Sequence, residues 1–113
     1  MRPEVKKYLF DVLTACEAIM DFVEGKGLAD YDTDLMLRSA VERQLMIVGE
    51  ALNAARRLDE SIVVAIPEVR DIIQLRNIIV HGYAVVENVT IWGIVQADVP
   101  DLCARVKAML AGD

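Results

Sequence analysis

Apolar residues recur at three- and four-residue steps along most of this chain, and that spacing predicts helices. Over residues 3–24 the stripe is Val5, Tyr8, Leu9, Val12, Leu13, Cys16, Ile19, Met20 and Val23. Pro3 suits a first helical turn, where the N–H it lacks would have no partner. Gly25 and Gly27 stop the segment, and residues 27–32 read as a loop. Asp32 or Thr33 can cap a second helix that runs to about Leu58. Leu37, Ala40, Val41, Gln44, Val48, Ala51 and Ala55 follow one of its faces, while Leu45, Met46, Ile47 and Leu52 carry the apolar arc well round the other side. So wide an arc predicts cover from two directions. Gly49 costs that helix about 1 kcal/mol relative to alanine, which favours close approach of another backbone there.

Residues 61–66 have strand propensity, but the stretch is short, has no pairing partner and ends at Pro67. It reads as a loop or a single helical turn. A third helix is predicted over roughly 68–81, with Val69, Ile72, Ile73, Leu75, Ile79 and Val80 as its apolar residues and Gly82 as its stop. Asn88 can cap a short fourth helix carrying Val89, Ile91, Trp92, Ile94 and Val95. Pro100 marks a break or a fresh start, and a last helix reaches about Leu110. Short connections make long neighbours antiparallel. The expectation is a single all-α domain over 1–113, an antiparallel four-helix bundle with an additional short C-terminal helix.

Composition adds an oligomer to that picture. Hydrophobic residues are 55% of 113 and charged residues 27%, with mean hydropathy +0.34. A domain this small exposes much of its surface, so the surplus suggests a buried interface between copies, a homodimer in the simplest case. No apolar run nears the roughly 20 residues of a membrane span, and no signal peptide is evident. Cys16 and Cys103 lack metal-like spacing and fall in apolar helical patterns, so they read as reduced core residues of a cytoplasmic protein. Net charge is −6, which argues against broad electrostatic binding of nucleic acid but leaves room for a locally positive site.

The chemistry is concentrated in Arg76-Asn77-Ile78-Ile79-Val80-His81-Gly82-Tyr83. His81 is the only histidine in the chain. An imidazole moves protons near neutral pH, and a guanidinium grips phosphate oxygens with a fixed fork. Cleaving RNA without a metal needs these functions: the 2′-hydroxyl loses a proton, the phosphorane is stabilised, and the 5′ oxygen gains a proton. Asn77 lies four residues before His81, on the same helical face, where its amide can orient the ring. Arg76 and His81, five apart, diverge by about 140° around an ideal helix. One imidazole cannot serve both sides of a phosphate, so a two-fold dimer joining two His81 and two Arg76 at a seam would complete the site. A structural reading stands beside this one. In it His81 suits a helix C-terminus, where the dipole favours an imidazolium, and Glu50 and Asp71 are the candidate ion-pair partners of Arg76. Tyr83 either packs or presents its hydroxyl for modification, Trp92 and Tyr8 read as core, and Tyr31 is open. Glycine-rich phosphate loops, zinc clusters and nucleophile elbows are missing, and no cofactor is implied. Asp30, Asp32 and Asp34 read as capping and solvated charge.

Arg76-Asn77 with His81-Gly82-Tyr83 resembles the signature of the HEPN superfamily, and more narrowly the HepT-like toxins. Ala40 through Ala51, ending Gly49-Glu50-Ala51, is similar to that family's second-helix block, and Ile91-Trp92-Gly93-Ile94-Val95 with Val99-Pro100-Asp101-Leu102 to its tail. The resemblance implies a HEPN-like helical dimer and a metal-independent endoribonuclease toxin in which Arg76 and His81 are catalytic and Asn77 supports them. It also implies a minimal nucleotidyltransferase antitoxin that transfers AMP to Tyr83, blocking the groove by bulk and negative charge. Two other functions are compatible with the residues: a non-catalytic module that binds such a nucleotidyltransferase, and a nucleotide-binding regulatory domain.

Overall fold

Pro3 opens α1 (Pro3–Val23), whose buried stripe is Val5, Leu9, Val12, Cys16, Ile19 and Val23. The helix ends because Gly25 takes φ +73°, a left-handed conformation that costs any residue with a Cβ about 1–2 kcal/mol. The structure, a computed structural model, describes residues 1–81 and 87–112. After α1 come α2 (Leu28–Thr33), α3 (Leu35–Leu58), α4 (Ser61–Ala65) and α5 (Val69–His81). The described chain then continues with α6 (Asn88–Gly93), a π-helical turn (Ile94–Asp98) and α7 (Val99–Ala111). No strand occurs among the described residues, so the fold is the all-α helical bundle expected.

Three local expectations need correction. Residues 27–32 are not a loop. The Gly27 N–H donates to Asp30 Oδ2 at 2.8 Å, and Tyr31 is fully buried, so a turn and an anchor together make α2. Asp32 and Thr33 therefore lie inside α2, and Asp34 caps α3, its Oδ1 accepting from the Leu37 N–H at 3.1 Å. Arg38 closes α2 from the other side by donating through Nη1 to Tyr31 O and Asp32 O, at 3.0 and 2.7 Å. Asn88 is the first helical residue of α6, and the N-cap is Glu87, with extended backbone and no side-chain cap bond. Pro100 marks the fresh start expected of it, standing in the first turn of α7. It has no N–H for a bond to the carbonyl of Gln96. The preceding turn widens instead, with the Val99 N–H donating to Ile94 O, so α6 runs on into α7. Residues 61–65 form the single turn expected of them.

The long helices pack antiparallel in a row. Arg2 Nη1 donates to Leu58 O at 3.1 Å, which sets the start of α1 beside the end of α3. Met20 and Val23 share a cleft with Val95 and Pro100, so the end of α1 meets the start of the C-terminal helix. Ile72 and Arg76 of α5 lie against Gly49 of α3. The order is α7, α1, α3, α5, with α1 and α3 central, in a body of 42 × 31 × 19 Å. Among the described elements α5 has α3 as its principal long neighbour, and it stands at one edge of the row. Tyr31 of α2 packs on Trp92 of α6, ring centroids 5.4 Å apart at 41°, which confirms Trp92 as a packing residue. Cys16 and Cys103 are free thiols, the first buried and the second half-buried.

Candidate active site

Close packing of α5 on α3 begins at Gly49. A Cβ built there would overlap Arg76 Cβ and lie 2.8 Å from its Cγ, so only glycine lets the arginine stem lie flat on α3. The expectation of close backbone approach at Gly49 holds, and what approaches is the candidate site itself.

Pinned at its stem, the Arg76 guanidinium is held at its fork. Nη2 donates to Glu50 Oε1 at 2.7 Å, and Nη1 donates to Asn77 Oδ1 at 2.9 Å. Its Nε is buried without a hydrogen-bond partner. A guanidinium carries five N–H donors. The two bonds engage one on each Nη, so each Nη retains a second N–H with which to meet an anion. The Arg76 side chain is 23% exposed and Glu50 51%, so the fork sits at the boundary between packing and water. Of the two acidic partners weighed from sequence, Glu50 is the one the fold supplies.

Asn77 is exposed on the next position of α5. A guanidinium can only donate, so its bond to Asn77 fixes which way the amide points: oxygen to Arg76, NH2 away from it. Asn77 thus links Arg76 to the face that carries His81, one turn further on. His81 is the last residue of α5 and is exposed. Gly82 and Tyr83 lie outside the described residues, so the helix stop and the modification site assigned to them do too. The sequence pattern could not by itself choose Glu50 over Asp71. The signal was Gly49, since a glycine in mid-helix marks where a neighbour comes closest.

Comparison with known proteins falls in line with the motif. The family model described as HepT-like, ribonuclease HepT-like, matches residues 12–109. A candidate RNase of Methanocaldococcus jannaschii, MJ1380, is 30% identical over 106 residues, 92% of this chain and 94% of its own. The protein named probable ribonuclease HepT of Thermococcus cleftensis is 30% identical over 115 residues, 96% of this chain and 98% of its own. A candidate RNase of Caldanaerobacter subterraneus, TTE0752, is 29% identical over 105 residues, 93% of both chains. No solved structure gives a significant match.

Proposed function

The chain belongs to the HepT-like ribonuclease family, and from that premise we propose that it is a metal-independent endoribonuclease toxin acting through Arg76 and His81 at a dimer seam. The observation that carries this reading is the preorganised guanidinium: stem against Gly49, fork on Glu50 and Asn77, one N–H left on each Nη. Arg76 would take the non-bridging phosphate oxygens and stabilise the charge that grows on them as the 2′-oxygen attacks. His81 of one protomer would remove the 2′-hydroxyl proton. The same residue of the partner would protonate the departing 5′ oxygen, leaving a 2′,3′-cyclic phosphate and a 5′-hydroxyl. The dimer has support from α5 at the edge of the row and from exposed apolar residues, among them Phe10, Leu35, Met36 and Val89.

Within this reading a minimal nucleotidyltransferase antitoxin silences the enzyme. The Tyr83 phenol attacks the α-phosphate of ATP, pyrophosphate leaves, and the new phosphate sets negative charge two residues from His81. Incubated with that partner and ATP, the chain should gain AMP-sized mass, and Tyr83→Phe should not.

The central test is cleavage of RNA in EDTA. Wild type should cleave, and His81→Ala and Arg76→Ala should each lose on the order of 100-fold or more. Equal rates from all three proteins would rule the assignment out. A second reading, a non-catalytic module that binds a nucleotidyltransferase, draws on the Arg76–Glu50 ion pair between α5 and α3. A pair this exposed contributes only about 0–1 kcal/mol. Arg76→Ala should therefore stay folded, and a folded variant that still binds the partner while neither protein cleaves RNA would favour the module.

A further inference from the structure

Two adjoining clefts open where the end of α3, α4 and the outer face of α5 meet. The first, about 380 Å³, is lined by Arg56, Arg57, Glu60, Val63, Val64 and Arg70. The second, about 330 Å³, is lined by Arg56, Arg70, Ile73, Gln74 and Asn77. Shared Arg56 and Arg70 make them one trough, and Asn77, which holds Arg76, closes its far end. Three arginines thus face one acid, Glu60, in a chain whose net charge is −6. Among the described residues none of the three is paired with a carboxylate, and Arg56 spends its Nε on Asn53 Oδ1 at 3.0 Å. Elsewhere Arg2, Lys7 and Arg105 each have an acidic partner.

The stripe along α5 connects the trough to the chemistry. Arg70, Gln74, Asn77 and His81 fall at i, i+4, i+7 and i+11, a single helical face, and all four are exposed. Arg70 and His81 are separated by roughly 16 Å along the axis at 1.5 Å per residue, enough for more than one phosphate. We propose that this trough is a subsite for the sugar–phosphate backbone of single-stranded RNA. Arg56 and Arg70 grip phosphates flanking the one to be cut, and bases rest on the apolar floor of Val63, Val64 and Ile73. A single strand is the form that fits, because attack by a 2′-hydroxyl requires a local geometry that duplex stacking resists. The inference rests on the ribonuclease reading, which it extends to substrate placement.

The test is binding of a fluorescent RNA dodecamer, 2′-O-methylated throughout so that it cannot be cleaved, measured by anisotropy over a salt series. Arg56→Gln/Arg70→Gln should weaken binding at low salt about tenfold or more. It should also flatten the log–log salt dependence by about 1.4, two phosphate contacts at roughly 0.7 each for a single strand. Lys26→Gln/Lys107→Gln removes the same charge elsewhere and should do neither. Arg56→Lys/Arg70→Lys should restore the slope, which separates charge from misfolding. Unchanged binding by the first pair, or an equal loss from the control pair, overturns the subsite even if wild type cleaves RNA. Selective loss by the first pair upholds it even if wild type proves unable to cleave, and only the catalytic reading then falls.

Discussion

Gly49 and Tyr31 show how much one atom can carry in this chain. Alanine at Gly49 would gain about 1 kcal/mol of helix propensity. Its Cβ would also overlap Arg76 Cβ, an atom fixed to the α5 backbone, and overpacking of that kind costs about 1–3 kcal/mol. The clash should win. Gly49→Ala is expected to lower stability in urea titration and to reduce RNA cleavage, because it lifts the Arg76 fork away from α3. Tyr31 presents the opposite case. Its ring is fully buried against Trp92, yet its hydroxyl has no hydrogen-bond partner. A buried unsatisfied hydroxyl costs about 1–3 kcal/mol. Tyr31→Phe should therefore melt at the same temperature as wild type or higher, and a clear fall would show that the oxygen has a partner in solution.

Caps and widened turns decide where the helices begin and how they run. Asp34 satisfies the Leu37 N–H at the start of α3, the helix on which both α1 and α5 pack. Asp34→Ala should cost about 1 kcal/mol, the usual worth of an N-cap, visible as a lower thermal midpoint, whereas Asp32→Ala should cost little. Periodicity alone made α1, α3 and α5 legible to within a residue or two, because long amphipathic stripes bury only one way. The boundaries that misled were short and polar. Asp32, Thr33 and Asp34 are all competent caps, and the choice among them was made by Tyr31, which enters the core and draws Leu28–Thr33 into a helix of its own. Pro100 was legible as the start of α7, and the π turn before it accommodates the N–H it lacks.

Alkaline pH should expose the cost of the whole molecule's dry interior. Burial pushes the Cys16 thiol up from 9.0 to about 12, with Cys103 and Glu17 adding to the rise. Burial likewise pushes the Tyr31 phenol from 10.0 to about 12, helped by Glu42 and opposed by Arg38. Both groups are neutral when protonated, and the folded state holds the proton more tightly than the unfolded chain does. Their contribution is full below about pH 9 and is lost as pH climbs towards 12. Melting midpoints should fall over that window, and Tyr31→Phe/Cys16→Ala should fall less steeply than wild type. An identical pH slope in the double variant would contradict the assignment.

Helical class, the long amphipathic segments and the Arg76-Asn77/His81 motif could be read from the chain because they depend on neighbours three or four residues away. Local spacing suffices for them. Glu50 and Asp71 were both legible as partners for Arg76, but the choice between them could not be read, since Glu50 lies 26 residues earlier and reaches it only through the crossing at Gly49. The basic trough escaped for the same reason: Arg56 and Arg70 are unremarkable in an acidic sequence until α3 and α5 run antiparallel and bring their charges to one place. Charges and cavities add up in space, and a linear pattern records only the part of that sum lying along one helix.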